Sequence, residues 1–496
     1  MTERELKLAL PGRFSIPPLT LGDAQLDVEP LGDLGLRATY YDTPDLRLAR
    51  HGVTLRYRTG EEGGPTWTLK LPVSVSGKSL ERNELHFAGP GREPPLAART
   101  LLTAYARTAP LVAVATLRTR RRRMHLFEPD VPRPLAELAI DEVSVVEGRR
   151  VVSRFRELEV EDLHGDADLD RLAEQLTAAG ATGAEPIPKV VRALGSRATA
   201  PPDVQRIELD PDATLADALG AAIADALHRL VHHDPLARMG DVEGVHQVRV
   251  AFRRLRSDLR TLGEAVDPIW LARIEPQLRS TGGALGAARD LDVLEEHLRE
   301  EVGGVRTLAP LFKDLDQRRE AARADLRAAL EDPSYPLLME ELVTAAEYPP
   351  AGPSGGERAT SILPDLTMDA WRKLEGRVDD LDDETPDEDF HRARIAAKRV
   401  RYAAELTVRA LNGARADAAA DFAQRIAELQ DLLGTIQDAT VAEAAIRATL
   451  PKRDARYAFE AGQLVERQRT RAGTARAKFL DTWPKVRRKK RRAWAS

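Results

Sequence analysis

The chain contains no cysteine among its 496 residues. That excludes disulfide frameworks, thiolate metal sites and cysteine nucleophiles, and it fits a reducing compartment. Aromatic residues make up only 5 %, so a surface that works by stacking bases on rings has little to draw on. Long uncharged apolar runs are missing too, so no segment reads as a bilayer-spanning helix. The start, MTERELKLAL, is charged where a secretory signal needs an apolar stretch. These absences predict a cytoplasmic protein with no use for a membrane. There is no GxxxxGK[ST] phosphate loop, and no serine nucleophile arrangement stands out. What the chain does have is charge: 31 % of residues are charged, and the net value of −5 averages over strongly uneven clusters.

The length exceeds what one hydrophobic core supports, so two or more domains are expected. Up to about residue 195, short apolar and polar runs alternate between Gly/Pro breaks, as in TLRYRTG, TWTLKLPV, LAELAIDEV and FRELEVEDL. From about 210 onward, Ala, Leu, Arg and Glu recur at helical spacing. The expected fold class is α+β: an N-terminal antiparallel β-barrel or tunnel with flanking helices over 1–195, followed by an all-α domain of two related helical bundles. A linker is expected over 196–206, where SRATAPPDVQ lies, and the helical domain over 207–490. YPPAGPSGGERATS divides the latter into portions of about 207–348 and 360–490. The acidic run DDLDDETPDED reads as a solvated connection, and KVRRKKRRAWAS as a flexible tail able to touch polyanions.

Within VHQVRVAFRRLRSDLR, residues His246, Arg249, Arg253, Arg256 and Arg260 share an arc of about 80° at helical spacing. Val248, Phe252, Leu255 and Leu259 take the neighbouring face. One such helix is ordinarily just a solvated face, but FHRARIAAKRVRYAAEL repeats the spacing with His391, Arg394, Lys398, Arg399 and Arg401. Downstream, Gly286, Arg289, Asp290 and Val293 are matched by Gly434, Gln437, Asp438 and Val441. Repetition over this distance indicates a duplicated helical unit whose copies pack about an approximate twofold axis. Converging guanidiniums repel one another, so a repeated phosphate is the natural ligand, with inorganic polyphosphate and nucleic acid as candidates. Only Tyr402 offers a ring on these faces, which makes nucleic acid the weaker fit.

These repeated His/Arg helices resemble the CHAD family, a histidine-bearing all-helical domain associated with inorganic polyphosphate, over roughly residues 205–490. The resemblance implies that His246, Arg249, Arg253, Arg256, His391, Arg394, Lys398 and Arg401 line a polyphosphate-binding surface. Lys398 and Gln437 depart from their counterparts Arg253 and Arg289, so the two halves need not bind equally.

The strands of the first half carry charge on one face. Period-2 geometry groups Glu3, Glu5 and Lys7 in TERELKLAL, Arg56 with Arg58, and Glu157, Glu159 and Glu161 in FRELEVED. Lys70, Arg82, Glu84, Glu137 and Asp141 continue the set, while Leu55, Trp67, Leu69, Leu138, Ile140, Leu158 and Val160 face the other way. Any one strand alone would be solvent-facing. Six of them predict a closed sheet whose lumen carries carboxylates for a hard divalent cation such as Mg2+ or Mn2+ and Lys/Arg groups for phosphate oxygens.

With the ExExK triplet at Glu3, Glu5 and Lys7 at its head, this half resembles the CYTH, or triphosphate tunnel metalloenzyme, family over residues 1 to about 195. That family includes class IV adenylyl cyclase, thiamine triphosphatase and inorganic triphosphatases. The resemblance implies Glu3, Glu5, Glu157 and Glu159 as metal-binding acids and Asp141 as a further tunnel acid, so that Glu3, Glu5, Lys7 and Asp141 form the catalytic set. It implies Lys7, Arg56, Arg58, Lys70, Arg118, Arg120 and Lys189 as phosphate clamps. In TLRTRRRRMHL, alternation permits either Arg118 with Arg120 or Arg121 with Arg123 to face inward.

Together the halves imply a metal-dependent inorganic triphosphatase acting on tripolyphosphate or polyphosphate chain ends, carried with a polyphosphate-binding domain and able to associate with polyphosphate granules. Competing readings are a non-catalytic polyphosphate-binding or granule-targeting protein, a class IV cyclase and a thiamine triphosphatase. The sequence shows no pocket for a base and no aromatic cluster for a thiamine ring.

Overall fold

A computed structural model of the chain describes residues 2–22, 24–61, 63–76, 79–183, 187–302, 306–450 and 454–495, with the side chains of 2, 3, 73–82 and 306 outside that description. No described helix is long and apolar enough to cross a membrane. The chain divides into two compact units, residues 1–203 and 204–496.

The first unit contains β1 (Thr2–Ala9), β2 (Thr20–Leu21), β3 (Ala24–Gln25), β4 (Asp27–Asp42), β5 (Thr54–Thr59), β6 (Thr66–Ser76), β7 (Ser79–Phe87), β8 (Val112–Phe127), β9 (Ala136–Glu147) and β10 (Arg150–Asp162). Its helices are α1 (Arg47–Arg50), α2 (Leu96–Leu101), α3 (Thr103–Ala106), α4 (Leu169–Ala178) and α5 (Lys189–Leu194). Eight strands close an antiparallel barrel in the order β1-β10-β9-β8-β4-β5-β6-β7, with β7 returning to β1, while β2 and β3 pair only with each other.

Alternation decides which residues the barrel encloses. Leu6 and Leu8 of β1, Leu158 and Val160 of β10, and Leu138 and Ile140 of β9 all point outward. There they join Met124 and Leu126 under Leu169, Leu172, Ala173 and Leu176 of α4. The intervening residues, charged at Lys7, Glu157, Glu159 and Asp141, point inward and are buried or nearly so. This inverts the usual small barrel, whose interior is filled with apolar side chains. Apolar filling survives at one end only, where Val190 and Val191 of α5 pack against Ala38, Tyr40, Leu117, Val143 and Val145.

The second unit is helical: α6 (Leu215–Arg238), α7 (Val242–Leu262), α8 (Pro268–Val302), α9 (Ala309–Glu331), α10 (Ser334–Glu347), α11 (Ala359–Val378), α12 (Asp387–Ala410), α13 (Gly413–Ala448) and α14 (Ala455–Val486). Neighbour relations repeat along the chain. Helix α7 packs on α6 and α8 as α12 packs on α11 and α13, and α7 and α12 also touch each other. One core lies among α11–α14, around Trp371, Phe390, Phe422 and Phe479, and another joins the ends of α8, α9, α13 and α14.

Two segments differ from the expectation. The acidic run is not wholly a connection, because Asp387, Glu388 and Asp389 form the first turn of α12, where carboxylates complement the positive end of the helix. The basic end is not a flexible tail. Trp494 is 3 % exposed with its ring 5.6 Å from that of Phe422, and Arg492 sits 4.5 Å above the Trp371 ring. Trp494 and Ala495 pack onto the α11–α14 core, and the charges are paired as well, Arg487 with Asp379 at 3.2 Å and Arg491 with Asp421 at 3.4 Å.

Candidate active site in the barrel and cationic seam in the helices

The barrel register assembles the charged side chains. Lys7 stands opposite Glu159, Glu157 opposite Asp141, and Asp141 opposite Arg121, so β1, β10, β9 and β8 each contribute to one cluster. Lys189, at the start of α5, enters it from the plugged end. Its Nζ lies 2.9 Å from Asp141 Oδ2, 2.7 Å from Glu157 Oε1 and 2.7 Å from Glu159 Oε1. Lys7 Nζ is 2.7 Å from Glu159 Oε1 and 3.4 Å from Glu5 Oε2. Arg121 forks onto Asp141, with Nε donating at 2.9 Å and Nη2 at 2.7 Å, and Nη2 also donates to Glu159.

Across the lumen, Arg56 and Arg58 of β5 and Lys70 of β6 face this cluster, and Lys70 Nζ lies 2.8 Å from Glu84 Oε2. The cavity here measures about 380 Å³ and is lined by Glu5, Lys7, Tyr40, Arg56, Arg58, Lys70, Glu84, Arg121, Glu159 and Lys189, among others.

Electrostatics follow from burial and crowding. Burial alone would raise the pKa of Glu159, but Lys189, Lys7 and Arg121 hold it well below the usual carboxylate range. Asp141 is likewise lowered, with burial opposed by Lys189 and Arg121. Both acids are therefore anionic at neutral pH. Burial and the charge of Arg56 pull Arg58 down to about 10, so it too remains cationic at neutral pH. For Tyr40, burial is outweighed by Arg56, Lys189 and Lys7, and its pKa is lowered.

The donor set fits a hard divalent cation. Asp141, Glu157 and Glu159 each offer an oxygen, and these oxygens lie within 4.8 Å of one another. Glu157 is 0 % exposed, yet neither oxygen accepts a hydrogen bond among the described residues. Lys189 and, at 3.6 Å, Arg192 approach it without an aligned N–H. A fully buried carboxylate held by ion pairs without aligned hydrogen bonds leaves lone pairs for a further ligand, and a set of carboxylate oxygens suits Mg2+ or Mn2+.

Of the residues named from the sequence, Glu5, Lys7, Asp141, Arg56, Arg58, Lys70, Glu157, Glu159 and Lys189 come together in and around this lumen. Glu3 lies on β1 opposite Arg82 in register, and its side chain is outside the described residues. Arg118 and Arg120 are corrections. Both belong to the outer face: Arg118 is exposed, while Arg120, its side chain 70 % exposed, reaches Asp33 at 3.0 Å. Arg121 and Arg123 take the inner face, the latter bonded to Glu137 at 2.9 Å. Tyr40 was not identified from the sequence, although its place opposite Arg56 follows once β4 and β5 are paired.

In the helical unit the two copies meet along a cationic seam. Arg249 pairs with Asp290 of α8 at 2.7 Å. Burial depresses Arg394, with Asp438 and Asp290 opposing and Arg249 and Arg253 adding to the effect. Burial together with Arg394, Arg253 and Arg249 brings Lys398 down to about 7. His391 Nδ1 meets Gln437 Oε1; its counterpart His246 is lowered by burial and by Arg289. Arg253 Nε, Arg394 Nε, Arg289 Nε and Nη1, and His246 Nδ1 are buried atoms without a hydrogen-bond partner among the described residues. Two expected members stand apart. Arg256 has Arg260, Arg279 and Glu275 as its charged neighbours, and Arg401 is bonded to Glu405 at 2.7 Å.

Comparison with known proteins agrees with this division. Residues 1–194 match the CYTH domain family and residues 221–447 the CHAD domain family. The uncharacterized protein MT2285 of Mycobacterium tuberculosis (strain CDC 1551 / Oshkosh) is 30 % identical over 436 residues, spanning 82 % of this chain and 80 % of its own. Among solved structures, PptA from Streptomyces chartreusis is similar at 21 % identity and a TM-score of 0.46, covering 55 % of this chain and 99 % of that one. The CHAD domain from the plant Ricinus communis is similar at 25 % identity and a TM-score of 0.44, covering 56 % and 95 %.

Proposed function

Because the chain belongs to the proteins that fuse a CYTH domain to a CHAD domain, we propose that it is a metal-dependent inorganic triphosphatase. It cleaves tripolyphosphate or polyphosphate chain ends in the barrel and holds polyphosphate on its helical seam. The CYTH family is generally one of triphosphate hydrolases, and CHAD domains are associated with polyphosphate. The observation that carries the reading is the lumen itself: a buried carboxylate trio, of which Glu159 lines the cavity, beside converging Lys and Arg side chains.

A triphosphate resists hydrolysis because its own charge repels nucleophiles, so catalysis is mostly charge neutralisation and positioning. Lys7, Arg56, Arg58, Lys70 and Arg121 surround the phosphoryl oxygens and stabilise the charge that builds on them in the transition state. Asp141, Glu157 and Glu159 would hold the divalent cation, which would supply Lewis-acid polarisation of a phosphoryl oxygen. Glu5, on the acidic side, orients the attacking water. In the helical unit, the orphaned guanidinium donors of Arg253, Arg289 and Arg394 favour a polyphosphate ligand, since anionic oxygens would satisfy them.

The test is phosphate release from tripolyphosphate, ATP and long-chain polyphosphate with Mg2+ or Mn2+, comparing the natural chain with Glu5→Ala and Glu157→Gln. Equimolar pyrophosphate and phosphate from tripolyphosphate, dependent on metal and lost in the variants, is the expected result. No release alongside tight polyphosphate binding would leave a non-catalytic binding protein. Cyclic AMP plus pyrophosphate from ATP would make it a cyclase.

A further inference from the structure

Three carboxylates that suit a divalent cation already surround a cation in this fold, the ammonium of Lys189. Its Nζ is 2.7–2.9 Å from one oxygen each of Asp141, Glu157 and Glu159. A Mg2+ ion needs such oxygens at about 2.0–2.1 Å, so it and Nζ would occupy overlapping space while repelling each other. We infer that Lys189 is a tethered counter-ion of the metal site: its ammonium balances the acids before metal enters and swings to the phosphate side of the lumen when metal takes its place. This rests on the triphosphatase reading above and deepens it.

The contacts fit an exchangeable occupant. Lys189 gives a well-aligned hydrogen bond to Glu159, whereas its 2.7 Å ion pair with Glu157 is poorly aligned. Four acids (Glu5, Asp141, Glu157, Glu159) meet four bases (Lys7, Arg121, Lys189, Arg192) in the cluster. The charges balance with the ammonium in place, and one negative charge is left over once it leaves, which favours entry of a cation. The swing needs no movement of α5, because Val190 and Val191 are packed into the apolar end of the barrel while the lysine stem is long and flexible. Lys189 also lines the cavity shared by Arg56, Arg58 and Lys70, so the displaced ammonium becomes a further phosphate clamp. Metal and triphosphate then bind with positive coupling, each favouring the same position of one side chain.

The experiment counts free Mn2+ by its paramagnetic resonance signal during titration of the full-length, metal-free chain. It is run with and without a bis-methylene triphosphate, whose P–C–P bridges do not hydrolyse. Lys189→Met should bind Mn2+ roughly tenfold or more tightly in the absence of the analogue. The mutual tightening of Mn2+ and analogue seen in the natural chain should shrink in the variant. Unchanged or weaker Mn2+ binding by a variant that melts normally overturns the inference. Should the variant not fold, the natural chain still decides: Mg2+ should speed labelling of Lys189 by an amine-reactive reagent, read by peptide mass spectrometry, and unaltered labelling overturns the exchange. If Mn2+ binds and phosphate is released but Lys189→Met does not tighten binding, only this inference falls. If the chain neither binds Mn2+ nor releases phosphate, the triphosphatase reading falls with it.

Discussion

At Arg120 and Arg121, one step along a strand separates a surface cation from a tunnel cation. Arg121 is forked onto Asp141 inside the barrel, while Arg120 meets Asp33 outside it. Arg121→Ala should lower kcat/KM for tripolyphosphate by about 100-fold, the order found for removing a donor to developing charge. Arg120→Ala should stay within about twofold, as surface ion pairs contribute little; steady-state kinetics on the pair checks both. The sequence could not choose between them, because β8 carries arginine on both faces and apolar residues on both faces as well. Leu117 points inward against α5, whereas Met124 and Leu126 point outward under α4. Asp258 gives a second residue-scale prediction. Buried on α7, it is pushed up to about 7 by desolvation, which Arg254 only partly offsets. Unfolded, it releases its proton near pH 4; folded, it keeps it to about 7, so stability falls as pH rises through that window. Asp258→Asn should therefore stabilise the fold by about 1–3 kcal/mol at pH 8 and hardly at all at pH 4. Thermal melts of both proteins across pH would show a pH-independent difference if this is wrong.

At the scale of elements, α7 and α12 were legible because the same side chains recur at the same spacing, and a repeated helix needs no alignment to be seen. What spacing could not tell was which arginines the packing would bring together. Arg256 sits at the edge of its 80° arc, about 40° from the middle, and ends beside Glu275 rather than in the seam. Nor could it reveal that Asp290 and Asp438 face the cations from α8 and α13. Lys398, at about 7, titrates in this seam alongside His246, under burial and the charges of Arg394, Arg253 and Arg249, with Asp290 opposing. A phosphate chain would favour its charged form. Binding at pH 8 should therefore take up a proton at Lys398 and weaken as pH rises above 7, while near pH 6 His246, lowered by burial and Arg289, contributes uptake as well. Calorimetry of long-chain polyphosphate in buffers of different ionisation enthalpy measures this directly. Lys398→Met should reduce the uptake at pH 8, and equal heats in all buffers at pH 8 for the natural chain would contradict the assignment.

For the whole molecule, the decisive feature is that each unit has cores of its own. Leu6, Leu138 and Leu158 pack under α4 in the first unit, and Trp371, Phe390 and Phe422 pack among α11–α14 in the second. Two cores that share no residue can melt separately, and a ligand stabilises only the unit that binds it. Scanning calorimetry should thus resolve two transitions with different ligand responses. Mn2+ should raise the transition of the barrel unit, and Glu157→Gln should remove that shift while leaving the other transition in place. Long-chain polyphosphate should raise the helical transition, and Arg394→Ala should blunt that response. At a ligand concentration near 100 times Kd, the gain of about 2.7 kcal/mol corresponds to roughly 5–10 °C for a unit of this size. The barrel's lumen also binds phosphate in the proposed reading, and metal strengthens that binding. Polyphosphate without metal should therefore act mainly on the helical transition, and polyphosphate with metal on both. A single transition moved equally by either ligand would mean that the units fold as one, and that metal in the tunnel and polyphosphate on the seam report on each other through the fold.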